Sequence, residues 1–213
     1  MHEFKAEEGF AAKKAGDNAA YPAMGRQSRT TLESGNTPMY HMFHDAERCI
    51  MCFSCEVHCK LENNLPVGPR LIRMIQVGPK VVGGRLKSQF VYLSCHHCDP
   101  AACVSACPTG AMQKRADGIV FVDEKACIGC KTCITACPWG SPQYNPQTKK
   151  VVKCNYCMER VDRGLWPACA QMCATHCLYF GNINEYASVL RERYARRIAE
   201  SVEMQVEAAA VGR

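Results

Sequence analysis

Seventeen cysteines in 213 residues constrain this chain more than anything else in it, because sixteen of them fall into four quartets. The first, CIMCFSCEVHCK, carries Cys49, Cys52, Cys55 and Cys59 at C-x2-C-x2-C-x3-C. The second, CHHCDPAACVSACP, places Cys95, Cys98, Cys103 and Cys107 at C-x2-C-x4-C-x3-C. Cys127, Cys130, Cys133 and Cys137 in CIGCKTCITACP repeat the first spacing, and Cys154, Cys157, Cys169 and Cys173 stretch it to C-x2-C-x11-C-x3-C. Self-similarity of this kind is read before anything else in a sequence. It leaves one cysteine over, Cys177.

The spacing has a chemical reason. Three cysteines two or three residues apart wrap a loop around three corners of an iron–sulfur cubane, and the N–H groups of that loop offset the cluster's negative charge. The fourth cysteine is expected to start a helix, with Pro108 and Pro138 in its first turn, where a missing N–H costs nothing. Structural zinc is the competing reading, since paired C-x2-C knuckles also supply four thiolates. Zinc has no need of a third cysteine two residues on, and four complete quartets favour iron–sulfur ligation.

In two-cluster ferredoxins the fourth cysteine of each motif ligates the other motif's cluster. Motifs two and three both end in Cys-Pro and enclose GAMQKRADGIVFVDEKA, in which Asp117-Gly118 is a hairpin turn signal and GIVFV reads as a strand. They form one unit, and motifs one and four form the other by elimination. The expected ligand sets are Cys49, Cys52, Cys55 with Cys173 (set one); Cys95, Cys98, Cys103 with Cys137 (set two); Cys127, Cys130, Cys133 with Cys107 (set three); and Cys154, Cys157, Cys169 with Cys59 (set four). Laying CATHCLY over CPTGAMQ puts Cys177 where the inner unit has Ala111, so Cys177 reads as small buried packing. His58, His96, His97 and His176 lie in or beside the motifs but have four thiolates to compete with, and read as supporting residues. Trp139 and Trp166 read as shielding. No Gly-rich phosphate loop, Ser-His-Asp order or motif-adjacent carboxylate pair stands out, so no catalytic site is expected.

The formal charge of +6 would suggest nucleic acid. Four oxidised clusters with their thiolates carry roughly −8 together, which cancels that basicity and removes the argument. Locally, Lys60, Arg70, Arg73, Lys80, Arg85 and Lys87 oppose only Glu62, a solvated face or a docking surface for an acidic partner. No apolar run long enough for a membrane span occurs. The N-terminal stretch lacks a signal-peptide core, so a cytoplasmic location is expected, with export alongside a signal-bearing partner left open.

Three regions follow. Residues 1–44 hold no motif and read as an N-terminal arm; 45–182 form the four-cluster domain; 183–213 form a C-terminal helix. RLIRMIQV and LKSQFVYL flank a turn region holding Gly78, Pro79, Gly83 and Gly84, a hairpin pattern, and NPQT before KKVVK signals another. In the tail, Asn184 reads as a cap, and Tyr186, Leu190, Tyr194, Ile198, Val202 and Val206 repeat every four residues. Such a stripe must pack on its own domain or on another subunit. The expected fold is α+β: two intertwined bacterial two-[4Fe-4S] ferredoxin-like units with short hairpins, plus a C-terminal amphipathic helix.

Four quartets with x4 in the second and x11 in the fourth resemble the iron–sulfur subunit of dimethyl sulfoxide reductase-type molybdenum/tungsten oxidoreductases over residues 45–182. The resemblance implies a non-catalytic subunit that conducts electrons through four [4Fe-4S] clusters, held by the sixteen cysteines above, to or from a catalytic pyranopterin subunit. The lack of an anchor suits a complex like the tungsten aldehyde oxidoreductases that use a polyferredoxin subunit, and the helix leaves room for a further redox subunit or self-assembly. Lys60, standing where the inner motifs have proline, is a candidate for raising a neighbouring cluster's potential. A stand-alone polyferredoxin shuttle and a zinc-stabilised binding module are the rival classes.

Overall fold

The computed structural model describes residues 39–211. Its most regular feature is the reuse of one local shape. The residue before the second cysteine of every motif adopts a left-handed conformation: Met51 (φ 54°), His97 (48°), Gly129 (71°) and Tyr156 (53°). That turn folds the two flanking cysteines inward. Only one of the four is glycine, and the others accept roughly 1–2 kcal/mol of backbone strain each. Strain of that kind persists where the surroundings over-determine it, as at ligand clamps.

A short helix follows each loop and carries the third cysteine of its motif. These are α1 (Ser54–Glu62), α2 (Ala102–Ser105), α3 (Thr132–Ala136) and α5 (Ala168–Gln171), the last preceded by α4 (Met158–Val161) inside the x11 stretch of motif four. Here the structure corrects the sequence reading. Cys107 and Cys137 stand just past the ends of α2 and α3 and do not begin a helix. The proline that follows each disfavours helical backbone in the residue before it, and Cys173, followed by Ala174, also stands past the end of its helix without starting another. Cys137 is accordingly extended, with ψ 113°. Cys59, followed by Lys60, lies inside a helix that runs on to Glu62.

Four two-stranded antiparallel sheets complete the body. Strands β4 (Met112–Lys114) and β5 (Val120–Val122) form the Asp117-Gly118 hairpin, and β6 (Gln143–Asn145) and β7 (Lys150–Val152) the NPQT hairpin. The fourth sheet joins β1 (His41–His44) to β8 (Leu178–Gly181). Residues 39–44, which the sequence assigns to the end of the arm, are thus part of the folded body, with Tyr40 stacked on Phe180 at 5.1 Å. The rest of the arm, 1–38, lies outside the described residues.

Two packing centres result. The larger joins motifs one and four: Ile72, Ile119, Leu178 and Phe180 are almost fully buried there, beside Cys55, Cys59, Cys154, Cys169, Cys173 and Cys177. A smaller one, around Met112, Val120 and Val151, includes Cys133 and packs against Cys103, Cys107 and Cys127. Thiols occupy positions that aliphatic side chains would fill in an ordinary core.

The hairpin of β2 (Arg73–Val82) and β3 (Arg85–Leu93) behaves differently. Its turn is Gly83-Gly84 alone, both with positive φ, as a two-residue primed turn requires. Gly78-Pro79 does not belong to the turn; it interrupts the ladder between Val77 and Lys80, since proline has no N–H to give. Met74 is the one buried residue of β2, and Val77, Val81, Val82 and Leu86 are exposed. The tip therefore projects from the body.

The last helix, α6 (Ile183–Val211), is capped by Asn182 and not by Asn184: the Asn184 N–H donates to Asn182 Oδ1 at 2.8 Å. Tyr186 stacks on Phe43 at 4.0 Å, and Arg193 and Arg197 pair with Asp45 and Glu47. Beyond this first contact the stripe stays open, with Leu190, Tyr194, Ile198 and Val202 between 44% and 67% exposed.

The shared loop shape generates a prediction. A Cβ on Gly129 would fall on the Lys149 carbonyl oxygen, whereas one on Gly140 would meet nothing within 4 Å. Gly129→Ala should prevent correct assembly, read as loss of iron from the purified chain. Gly140→Ala should keep its iron and lower the melting temperature by only a few degrees, the size of a ~1 kcal/mol strain.

Candidate metal centres

The α1/α5 and α2/α3 helix pairs decide where the thiols meet. In each helical turn the third and fourth cysteines diverge to different neighbours. Cys49, Cys52, Cys55 and Cys173 line one recess. Cys95, Cys98, Cys103 and Cys137 line a second, and Cys107, Cys127, Cys130 and Cys133 a third. The remaining four gather in the interior, where charge on Cys154, Cys169 and Cys157 acts on Cys59. The structure therefore brings all sixteen cysteines into four groups, each drawing on two motifs.

The donor chemistry of these groups fits iron–sulfur clusters. The thiols are free of disulfides.

Their electrostatics divide into two kinds. Burial pushes Cys55 and Cys154 up to about 12 and Cys133 to about 11, and takes Cys59 and Cys169 higher still. Left alone, these groups stay protonated; a bound cationic centre makes their thiolates favourable. Other thiols are held down by donors. The Thr132 hydroxyl, 3.4 Å away, and the Thr132 N–H lower Cys130. At Cys107 burial raises the thiol, but the N–H groups of Met112, Thr109 and Ala111 and the Thr109 hydroxyl outweigh it. Cys173 is lowered by the Cys177 thiol at 3.4 Å and by the Cys177 N–H at 3.3 Å, and Cys177 is raised in return.

Donors from outside the motifs reach the sulfurs too, and sequence reasoning missed them. Tyr92 on β3 lies 3.6 Å from Cys169 Sγ, and Asn63 Nδ2 points at Cys59 Sγ from 3.7 Å. Lys153 is buried, bonds the carbonyls of Val120 and Cys154, and lines the recess of set two. Its charge favours the thiolate forms of Cys154 and Cys103. In KKVVK nothing distinguishes Lys153 from its two solvated neighbours. Lys60, the residue the sequence suggests for tuning, instead ties the chain at Pro66 and Pro69 through their carbonyls.

The other named residues act as supports. Val120 N–H donates to His97 Nδ1 at 2.8 Å, and His97 packs on Tyr156; burial holds its pKa well below the ordinary value, so the ring is neutral. His58 bonds the Ser54 carbonyl at 2.8 Å. His176 continues the chain from Cys173 through a left-handed turn. Trp139, though largely exposed, covers the recess of set two beside His96, and Trp166 is buried against Tyr179.

The groups also adjoin one another. Cys55 acts on Cys59 and Cys169, linking set one to set four, and Cys95 acts on Cys154, linking set four to set two. Helices α2 and α3 pack together and join set two to set three. Cys52 in set one and Cys130 in set three are exposed.

Thiols brought together from two motifs in each recess, with Cys52 and Cys130 exposed, suit an iron–sulfur electron-transfer protein. Similarity to known proteins points the same way. Residues 86–183 match the 4Fe-4S dicluster domain family. The chain is 44% identical over 151 residues to the thiosulfate reductase electron transfer subunit of Salmonella typhi, covering 70% of this chain and 79% of that one. It is 41% identical over 158 residues to a probable anaerobic dimethyl sulfoxide reductase subunit of Escherichia coli K12 (70% and 76% covered). A polysulfide reductase subunit of Wolinella succinogenes is 38% identical over 160 residues (74% and 84%). This chain belongs to the family of iron–sulfur electron-transfer subunits of molybdoenzyme-type reductases, and is a non-catalytic member of such complexes.

Replacing Lys153 by methionine removes a buried positive charge beside set two. Two midpoint potentials, those of sets two and four, should then fall by roughly 50–100 mV, the one-electron equivalent of an interaction of about 1–2 kcal/mol. An EPR-monitored redox titration would read the shift, with iron content unchanged as the control.

Proposed function

We propose that the chain conducts single electrons through four [4Fe-4S] clusters to or from a catalytic subunit carrying molybdenum or tungsten on pyranopterin. The ligands are Cys49, Cys52, Cys55, Cys173; Cys95, Cys98, Cys103, Cys137; Cys127, Cys130, Cys133, Cys107; and Cys154, Cys157, Cys169, Cys59. The observation that carries this reading is the convergence of thiols from two motifs on each of three recesses, with the exposed Cys52 and Cys130 in different ones. Bound clusters would supply one-electron redox couples, with potentials set by hydrogen bonds, charge and solvent exposure. The protein's own part is to hold the thiolates, exclude water and adjust charge. Tyr92, Asn63, Thr132 and the loop N–H groups draw electron density from particular sulfurs, and Lys153 adds a positive charge between sets two and four.

On this reading residues 45–182 are two intertwined ferredoxin-like units, one from motifs one and four and one from motifs two and three. The partner surfaces are the projecting hairpin and the open stripe of α6. Residues 63–98 contain no acidic side chain, and Arg73, Lys80, Arg85 and Lys87 surround exposed Val81 and Leu86 on the hairpin. An apolar strip within a basic frame suits an acidic, partly apolar face of the catalytic subunit. The stripe of α6 suits the same partner, a further redox subunit or a second copy. No helix among the described residues is long and apolar enough to cross a membrane, and a cytoplasmic complex is the setting we infer. A free polyferredoxin shuttle would leave both surfaces without purpose.

The test is native purification without air. The chain should carry about sixteen irons and as many sulfides, and should elute with a larger subunit containing molybdenum or tungsten. A monomer free of either metal would favour the shuttle, and a colourless chain holding zinc would favour a zinc module. A Val81→Asp, Leu86→Asp double variant should keep its iron but lose the larger subunit by at least tenfold in pull-down yield.

A further inference from the structure

The residue four positions after the last cysteine of each motif is Asn63, Ala111, Ser141 or Cys177, and in the structure all four face a thiol group. Asn63 points at Cys59 Sγ. Ala111 lines the recess of Cys107, Ser141 that of Cys137, and Cys177 that of Cys173. Alignment with Ala111 therefore does not make Cys177 inert packing, because Ala111 itself looks onto a centre. Among these four side chains Cys177 alone carries a soft metal-binding atom.

Its surroundings are those of a ligand. Cys177 is 5% exposed, and its Sγ lies 3.4 Å from that of Cys173. The sulfurs of Cys177 and Cys49 and a ring nitrogen of His44 all fall within 4.8 Å of one another. His44 Nε2 is buried with no hydrogen-bond partner, and His44 lines the same recess. Five thiols thus converge on a centre that takes four.

We propose that Cys177 is a reserve ligand of set one, able to take the iron position of Cys173. This rests on the four-cluster reading above. In the exchange the iron–sulfur bond to Cys173 breaks and one to Cys177 forms. The Cys177 proton crosses the 3.4 Å contact to the departing Cys173 thiolate, so charge and electron count are unchanged. The close contact makes this a small local rearrangement. In set three the corresponding alanine offers no such route.

The experiment compares full-length variants purified without air, by iron and sulfide content and by EPR of the reduced protein. The unaltered chain should hold about sixteen irons; a chain without them would defeat the four-cluster reading itself. Given that count, Cys173→Ala should retain it with one altered EPR signal, whereas Cys173→Ala with Cys177→Ala should lose about four irons. Cys107→Ala should lose about four as well. Equal loss in Cys173→Ala and the double variant would overturn the proposal. If Cys173→Ala yields no folded protein, the transplant decides: adding Ala111→Cys to Cys107→Ala should restore the lost irons, and no recovery would refute the reserve role.

Discussion

A thiol buried in a small protein is a weak acid in the wrong place, and sixteen of them gathered into four groups make that mismatch the organising constraint of this molecule. Burial pushes Cys55 and Cys154 up to about 12, a range in which no thiolate persists at neutral pH. Coordination to iron reverses the balance, because the metal stabilises the charge that burial penalises. The aliphatic core is correspondingly modest, and cysteines stand among its central members.

The same constraint accounts for the strain and the repetition. A loop that aims three sulfurs inward needs a left-handed residue inside each C-x2-C, and the chain accepts methionine, histidine and tyrosine there as well as glycine. A helical turn then carries the third and fourth cysteines toward different centres, so each motif staples its own centre to the next. Sets one and four share α1 and α5, and sets two and three share α2 and α3, whereas sets four and two meet through Cys154 and Cys95 instead of through a shared helix.

What surrounds the four centres differs from one to the next. Set two has the buried Lys153, set three the exposed Cys130 with its threonine donor, set four the phenol of Tyr92, and set one the fifth thiol. Repetition supplies the scaffold, and departures from it give each centre its own electrostatics. Away from the body, the β2–β3 tip and the far turns of α6 present apolar side chains that the chain does not cover itself. Those surfaces are what a subunit, as opposed to a free carrier, would retain.

Cysteine spacing alone determined the chemistry: four quartets specify polynuclear metal ligation because loops of that length encircle a cluster. The inner hairpins were legible through Asp117-Gly118 and NPQT, and the tail helix through its four-residue period. Local rules failed where a residue's role depends on what folds against it. Lys153 and Tyr92 gain theirs from what packs beside a distant sulfur, and the bonds of Lys60 to the Pro66 and Pro69 carbonyls come from the loop that follows α1. The helix-start reading of Cys107 and Cys137 failed: proline disfavours helix in the residue before it, and Cys173, with alanine after it, starts no helix either. Cys177 is the sharpest case. Sequence placed it opposite an alanine, and only the convergence of His44, Cys49 and Cys173 in space, from segments more than a hundred residues apart, made it a fifth sulfur beside the thiols of set one.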